Sequence, residues 1–284
     1  MPLLTLQELE RMFPIFRGRM GRIVGRSAMR LLSINRVNAL YDRYQHLSGP
    51  DFAHDVLQDL GIKYNVFAET PEVPIQLHAL RQGTPFITIS NHPYGSIDGV
   101  ILADYFGHLY PGYKLMVNKM LSRIEALSSS FIPVTPTNEL HQSPTSTSIL
   151  GIRHALTRLR SGDPLGIFPA GAVSDLSLHD HAIRDREWQP SIVRFIAKAQ
   201  VPILPVRFLD RNSLLYYSLG LIDWRIRLLR LPAEIFNKSG RPTRLCIAPL
   251  VSVEQQQEYL ATHTIEEFGS WLRSKVYGIS SEDK

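Results

Sequence analysis

From residue 85 onward, short runs of β-forming residues alternate with helical stretches, and this alternation limits the possible folds more than any other feature. The predicted strands cover residues 85–90, 113–117, 131–134, 164–168, 201–208 and 243–250. Helices are predicted from about residue 98, over 148–162, over 187–200, and from the capping box Thr264–Glu267 to Gly278. Such an alternation predicts an α/β fold, with a mainly parallel sheet flanked by helices and ligands bound beyond the carboxyl ends of the strands.

The first 50 residues differ from the rest of the chain in charge and in pattern. Seven arginines and no acidic residue lie between residues 11 and 36, whereas the net charge of the whole 284-residue chain is only +5. The segment is predicted to form two helices, interrupted near Pro14 and near the glycines that follow it, Gly18, Gly21 and Gly25. We therefore predict two parts, with amphipathic basic helices at 1–50 and an α/β domain at 51–284.

Large apolar residues are interleaved with these arginines, which a merely solvated basic face does not require. They are Met12, Phe13, Ile15, Phe16, Met20, Ile23, Val24, Met29, Leu31 and Leu32. Apolar groups can enter the acyl boundary of a membrane while guanidinium groups meet anionic head groups. Because no stretch has the roughly 20 apolar residues of a spanning helix, the segment is predicted to bind a membrane surface peripherally. A solvated basic face is the alternative.

Several other classes of protein are disfavoured by the sequence. The single cysteine, Cys246, excludes an internal disulfide and a Cys-based zinc site, and its apolar surroundings predict a buried thiol. Nucleotide-binding glycine loops and the Gly-x-Ser-x-Gly elbow of serine hydrolases are not found. Metal binding by His179-Asp180-His181 is disfavoured because no further ligands have clear spacing. The arginine segment lacks a nucleic-acid-binding motif, so no nucleic-acid partner is expected.

The loop after the strand at 85–90 contains a histidine and an aspartate that can act together. Pro93 disfavours a helical conformation at His92, Gly95 permits a sharp reversal, and Ser96 can cap the following helix. Asp98 then lies in the first turn of that helix, where a carboxylate is favoured. An aspartate beside a histidine orients the imidazole and supports its role as a general base. We predict this role for His92; a histidine that only satisfies a turn is the alternative.

Two further segments follow or form predicted strands. The strand at 164–168 runs into Phe168-Pro-Ala-Gly-Ala-Val-Ser174, where backbone N–H groups around Gly171, together with Ser174, can hold an anion. A purely structural turn is the alternative. The strand at 201–208 contains Pro202 and Pro205, which is typical of an edge strand or of a strand terminus.

Taken together, these segments resemble the lysophosphatidate acyltransferase superfamily of glycerolipid acyltransferases over residues 85–250. The family's conserved positions correspond to Asn91, His92, Asp98, Phe168, Pro169, Gly171, Ser174 and the Val-Pro-x-x-Pro-Val strand at 201–206. The fainter second motif corresponds to Lys119 and to Phe131-Ile132-Pro133. The resemblance implies an acyl thioester donor, CoA or acyl carrier protein, and an N-terminal helical motif that contacts the membrane.

The chain departs from the main branch of this superfamily in two places. Five residues instead of four separate His92 from Asp98, and Ala170 and Val173 replace a charged pair. This pattern resembles a bacterial, hemolysin-like branch that is related to the O-acyltransferases of ornithine and glycine lipid synthesis. In the main branch the missing arginine is associated with phosphate binding. Substitutes in this chain would be Arg184, Arg186 or Arg207.

The resemblance implies an O-acyltransferase that moves a fatty acyl group to the hydroxyl of a lyso-lipid. A lyso-aminolipid acceptor is favoured, and 1-acylglycerol-3-phosphate is the alternative. A catalytically inactive membrane-binding protein is the alternative of another class. Asn91, Lys119, Phe168, Pro169, Gly171, Ser174 and the three arginines are the predicted substrate-binding residues. No cofactor or metal is expected, and the predicted location is peripheral, on the cytoplasmic face of a bacterial inner membrane.

Overall fold

A computed structural model describes residues 3, 5–12, 14–81, 83–134, 146–178 and 181–279. The strands are β1 Tyr64–Ala68, β2 Ile87–Ser90, β3 Lys114–Asn118, β4 Phe131–Val134, β5 Leu165–Ile167, β6 Asp175–Ser177, β7 Ala182–Arg184, β8 Ile203–Phe208 and β9 Thr243–Ile247. The first six α-helices are α1 Leu6–Met12, α2 Gly18–Leu31, α3 Ile34–Tyr44, α4 Gly49–Asp59, α5 Glu72–Leu80 and α6 Ile97–Leu109. The later ones are α7 Ser146–Arg160, α8 Pro190–Ala199, α9 Leu214–Ile222, α10 Trp224–Asn237, α11 Val253–Leu260 and α12 Ile265–Tyr277. Short 3-10 helices cover Pro14–Phe16, Lys119–Arg123 and Glu125–Ser130.

Seven of the strands form one sheet in the order β1-β9-β8-β2-β5-β3-β4. All neighbouring pairs are parallel except β8 and β9, which are antiparallel. The predicted α/β fold with a mainly parallel sheet is therefore confirmed. The carboxyl ends of β2, β3, β5 and β8 lie at the same edge, and the predicted motifs follow these ends.

Both faces of the sheet are buried, as the alternation of side chains in β3 shows. Leu115 and Val117 belong to the cluster that contains residues of α4 and α6, whereas Met116 belongs to the cluster that contains residues of α7, α8 and α12. Successive strand residues point to opposite faces, so helices cover the sheet on both sides. The Cys246 thiol in β9 is buried, as predicted.

The prolines of this segment predicted an edge strand or a strand terminus. The strand β8 is an interior strand, so the edge position is wrong, whereas Pro202 does lie at a terminus, directly before the start of β8. Pro205 is tolerated because its missing N–H faces a gap in the pairing with β9. Within that gap the Pro205 carbonyl accepts a hydrogen bond from the N–H of Ala248 at 3.0 Å, and a single bridge then joins Ile203 to Val251. The broken ladder on one side removes the usual penalty of an interior proline.

The described residues of the N-terminal segment form three α-helices, α1 to α3, instead of the predicted two, and the glycines at 21 and 25 do not interrupt α2. Both glycines lie inside α2 and are buried. A Cβ atom at Gly21 would lie 2.5 Å from the backbone carbon of Phe16, and one at Gly25 would lie 2.7 Å from a methyl group of Leu6. These glycines therefore allow close packing of α2 against the preceding segment.

Two parts of the described fold have no counterpart in the sequence prediction. The strand β1 pairs with β9 at one edge of the sheet, and β6 and β7 form a separate antiparallel hairpin. The predicted last helix is confirmed, since Thr264 and Glu267 form a capping box at the start of α12. Among the residues that the structure describes, no helix is long and apolar enough to cross a bilayer. The segment 135–145 lies outside the described residues.

Candidate active site

Asn91 joins the carboxyl ends of two neighbouring strands, β2 and β8. Its side-chain N–H donates to the carbonyl of Phe208 at 2.9 Å, and its side-chain oxygen accepts from the N–H of Phe208 at 2.8 Å. Both halves of the buried amide are therefore used by the fold. This clamp fixes the backbone immediately before His92, and the predicted role of Asn91 in substrate binding stays a prediction.

His92 and Asp98 lie together, as their spacing predicts. Nδ1 of His92 is 2.8 Å from Oδ2 of Asp98, in an ion-pair contact instead of a well-directed hydrogen bond. The Asp98 carboxylate is fully buried and accepts hydrogen bonds from the N–H groups of Tyr94 at 3.0 Å, Gly95 at 3.2 Å and Gly99 at 3.0 Å. These three donors fix the position of the carboxylate beside the imidazole.

The loop between these two residues has the sharp turn that the sequence predicts. Gly95 adopts a positive φ of 76°, and a Cβ atom there would lie 2.5 Å from a methyl group of Val173. Ser96 occupies the N-cap position of α6, but its side chain makes no capping hydrogen bond, so that part of the prediction is wrong. Asp98 itself binds the backbone N–H groups of this turn and replaces the predicted cap.

The imidazole of His92 lies between polar and apolar neighbours. Its ring lies against that of Phe168, with 4.1 Å between the centroids and 33° between the ring planes, and its side chain keeps 18% of its surface exposed. Burial lowers the pKa of His92, but the negative charges of Asp98 and Asp185 outweigh burial, so the pKa lies above the ordinary value for histidine. Because Nδ1 faces Asp98, Nε2 is the ring nitrogen left to exchange a proton with a substrate.

The segment after β5 packs directly against this loop. The N–H of Ser174 donates to the carbonyl of His92 at 3.0 Å, and the N–H of Gly171 donates to the carbonyl of Phe168 at 2.9 Å. The Ser174 hydroxyl donates to Asp185 at 2.5 Å. These two N–H groups are thus occupied in this conformation, and their predicted role as anion donors stays a prediction. Pro169 accepts a bond from the N–H of Gln189 and so anchors α8.

Asp185, just after β7, was not predicted and is the second carboxylate beside His92. Its Oδ1 atom accepts from the Ser174 hydroxyl and from the backbone N–H of His92, the latter at 3.2 Å. Its own backbone is held by the hydroxyl of Tyr277 and the guanidinium of Arg273. Burial raises the pKa of Asp185, although the bonds from Ser174 and His92 oppose this shift. It lies 93 residues from His92, with no motif around it.

The three arginines proposed as phosphate ligands have separate surroundings. Arg186 pairs with Asp175 on the hairpin, and Arg207 donates to the carbonyl of Tyr277 at 2.7 Å and so anchors the end of α12. Arg184 is exposed at the end of β7. Lys119 is exposed after β3, two strands from β2 at the carboxyl edge of the sheet.

A fourth arginine, which the sequence did not single out, reaches the segment after β5. Arg227 on α10 is buried, donates to the carbonyl of Ser174 at 3.1 Å and pairs with Asp175. A cation thus lies next to the segment whose own charged pair is replaced by alanine and valine. The helical spacing of α10 does not predict the contact of Arg227 with Ser174 and Asp175, because that contact depends on how α10 packs against the segment after β5.

Within the described part of the chain, no group of three or more histidines, cysteines or acidic residues is arranged to hold a metal ion. Of the disfavoured His179-Asp180-His181 site, residues 179 and 180 lie outside the described residues. The expectation that no metal takes part therefore stays a prediction.

Comparison with known proteins identifies the family. A family model described as "Acyltransferase" matches residues 11–282. The chain is 26% identical over 210 residues to the lyso-glycine lipid O-acyltransferase of Bacteroides thetaiotaomicron. This alignment covers 72% of this chain and 71% of that protein. It is also 26% identical over 196 residues to the lyso-glycine lipid O-acyltransferase of Phocaeicola vulgatus, in an alignment that covers 66% of each of the two chains. The resemblance drawn from the motifs is confirmed, and the chain belongs to the acyltransferase family of enzymes.

Proposed function

We propose that this enzyme transfers a fatty acyl group from an acyl thioester to the hydroxyl of a lyso-lipid at a membrane surface. The observation that carries the proposal is the contact between His92 and the buried carboxylate of Asp98 at the carboxyl edge of the sheet. An oriented, partly exposed imidazole is suited to remove a proton from a hydroxyl group. The donor would be an acyl thioester of acyl carrier protein or of CoA.

In the proposed reaction Nε2 of His92 takes the proton of the acceptor hydroxyl as its oxygen attacks the thioester carbonyl carbon. The new ester C–O bond forms, the C–S bond breaks, and the leaving thiolate recovers the proton from the imidazolium. Asp98 stabilises the imidazolium in between. General-base help of this kind contributes roughly 10²–10⁴ in rate, and the chemistry requires neither a metal nor a covalent enzyme intermediate.

A lyso-aminolipid with a free hydroxyl and one carboxylate is the acceptor that we favour. Ala170 and Val173 leave the segment after β5 without its own charges, and the nearby guanidinium of Arg227 is already paired with Asp175. A phosphomonoester carries nearly two negative charges and usually recruits several fixed donors. A carboxylate demands less, and both relatives described above are named lyso-glycine lipid O-acyltransferases.

Lysophosphatidate is the second candidate, and the exposed Arg184 beside the site is the observation in its favour. The hypothesis of an inactive membrane-binding protein is disfavoured by the family assignment and by the intact pair of His92 and Asp98.

A panel of acceptors tests the proposal. The purified enzyme receives one labelled acyl group, on CoA or on acyl carrier protein, and lyso-glycine lipid, lyso-ornithine lipid or lysophosphatidate as acceptor. We expect the highest kcat/KM with a lyso-aminolipid. Faster turnover of lysophosphatidate than of both aminolipids would refute the proposed lyso-aminolipid acceptor. No transfer to any of the three acceptors would refute the proposed function.

The membrane surface is assigned to the N-terminal helices, on the cytoplasmic side. Two exposed apolar residues of α2, Met20 and Ile23, lie among exposed arginines, whereas Gly21, Gly25 and Met29 face inward. Such a helix presents charge and apolar surface together, as interfacial helices do. Peripheral attachment at this helix is consistent with the arginine pattern of the sequence.

A further inference from the structure

Helices α9 and α10 carry an unusually exposed set of large apolar side chains. Seven such residues lie within fifteen positions, namely Leu214 (62% exposed), Leu215 (51%), Leu221 (49%), Ile222 (75%), Trp224 (53%), Ile226 (43%) and Leu228 (38%). Single exposed apolar residues are ordinary, but a group of this density marks a surface for a membrane or a partner. We call these seven residues the α9–α10 patch.

The opposite face of α9 is built into the active site. The Tyr217 hydroxyl donates to the carbonyl of Pro93 at 2.8 Å, and the side-chain N–H of Asn212, just before α9, donates to the carbonyl of Tyr94 at 3.0 Å. Tyr216 and Tyr217 also pack against Val173 in the segment after β5. The helix that exposes the patch therefore holds the loop of His92 from behind.

The patch is presented by a fixed part of the structure. Glu234 of α10 is buried and accepts hydrogen bonds from the N–H of Ser213 at 2.9 Å and from its hydroxyl at 2.7 Å. The Ser213 hydroxyl in turn caps the start of α9 at the N–H of Tyr216. These bonds join the start of α9 to the last turn of α10. The exposed apolar residues therefore belong to two helices that are held in a fixed arrangement.

The patch is continuous with the basic N-terminal helices. Leu229 of α10 packs into the small cluster formed by Leu9, Phe16, Met29 and Ile34. The guanidinium of Arg36 lies 3.8 Å above the ring of Phe236, also on α10. The cations of the N-terminal segment and the apolar residues of α9 and α10 thus lie side by side, which is the combination that an anionic lipid surface accepts.

We propose that the α9–α10 patch is a second membrane-contact surface, which enters the acyl boundary of an anionic bilayer beside the N-terminal helices. This inference rests on the proposed function and adds to it the element that brings the active site to the lipid. Since a helix is about 10 Å in diameter, the loop of His92 lies about one helix layer behind the lipid surface.

The test uses the full chain with Leu214→Glu and Ile222→Glu together, and flotation with vesicles of phosphatidylglycerol and phosphatidylethanolamine. Salt screens the arginines but not apolar insertion, so at high salt we expect binding to fall by about tenfold or more in the double variant. The control is Ile75→Glu on α5, a single replacement of a residue that is 71% exposed, which should leave vesicle binding and acyl transfer unchanged. Thermal unfolding checks the fold, and Leu214→Gln with Ile222→Gln is a milder pair.

Two results would overturn the inference. One is unchanged vesicle binding by both double variants. The other is a wild-type dimer that the variants convert to monomer while vesicle binding stays the same, because a second copy of the chain would then cover the patch. Acyl transfer in detergent micelles is measured separately. If the wild-type enzyme showed no acyl transfer in micelles, the proposed function would be refuted, but the vesicle-binding result would still stand.

Discussion

The surroundings of the Asp98 carboxylate set the position of the group that His92 contacts. Three backbone N–H groups hold a carboxylate that has no exposed surface. Three fixed donors hold such a carboxylate in one position. The imidazole at 2.8 Å therefore meets a fixed negative charge, which is the arrangement that a general base requires.

Removing either member of this pair should abolish most acyl transfer. We expect His92→Ala to lower kcat/KM by about 10³-fold, since the proton acceptor is lost. Asp98→Asn should cost nearly as much, because the amide neither stabilises the imidazolium nor favours the required tautomer. Circular dichroism serves as the control for the fold. If His92→Ala kept more than about a tenth of the activity, a difference of less than ~1.4 kcal/mol, the general-base role would be wrong.

Asp185 should contribute to the pH dependence of the enzyme, in addition to the larger effect of Asp98. In the proposed mechanism the neutral imidazole of His92 is the active form. Because the pKa of His92 is raised, kcat/KM should then fall as the pH falls through a value above that of an ordinary histidine. Asp185→Asn keeps an oxygen for Ser174 but removes a negative charge, which lowers the pKa of His92. We therefore expect the acid limb to move to lower pH.

The control for this shift is Asp51→Asn, which removes an exposed charge on α4. Steady-state rates between pH 5 and 9 measure both variants. An acid limb that stays in place in Asp185→Asn would show that the charge of Asp185 does not act on His92.

At the scale of the elements, α2 shows how one helix serves packing and surface together. Glycines face inward and allow the close approach of Phe16 and Leu6, while arginines remain exposed. Each glycine lowers the intrinsic stability of the helix by about 1 kcal/mol relative to alanine, but it allows this close contact. The predicted division of the chain at residue 50 stays a prediction.

The exposed arginines of α2 should supply the salt-sensitive part of membrane binding. We expect Arg19→Gln, Arg26→Gln and Arg30→Gln together to weaken binding to anionic vesicles at low salt by roughly a hundredfold, at about 1 kcal/mol for each arginine. Vesicle sedimentation at two salt concentrations measures the effect, which should shrink as salt screens the charges.

A matched triple variant removes three exposed cations elsewhere, with Lys63→Gln, Arg160→Gln and Lys198→Gln. This control has the same change in net charge, so it separates a local surface from a general effect of charge. Equal losses in the two triple variants would argue against a membrane surface at α2.

At the scale of the whole molecule, Asn91 connects parts of the chain that are far apart in sequence. It joins β2 to Phe208, 117 residues later, through two buried hydrogen bonds. We expect Asn91→Ala to lower the free energy of unfolding by about 2–3 kcal/mol, because both backbone partners lose a bond in a buried site. Denaturant unfolding measures this, and Asn65→Ala on the exposed side of β1 is the control. A loss below about 0.5 kcal/mol would show that water replaces the clamp.

The α/β class and the pairing of His92 with Asp98 follow from the sequence by itself. The alternation of strands and helices is a local pattern, and the two residues are separated by one short turn, so their approach needs no long-range information. The motifs also identified the family, which the match over residues 11–282 confirms. The catalytic and binding roles of the individual residues stay predictions.

Other features depended on the tertiary structure. Asp185 and Arg227 reach the site from β7 and α10, and no periodicity reports which distant segments pack together. The interior position of β8 is set by strand pairing, because Pro205 is tolerated only opposite the gap in β9. Local patterns determine which elements form. Strand order and burial are decided by packing and charge contacts between residues that lie far apart in the chain.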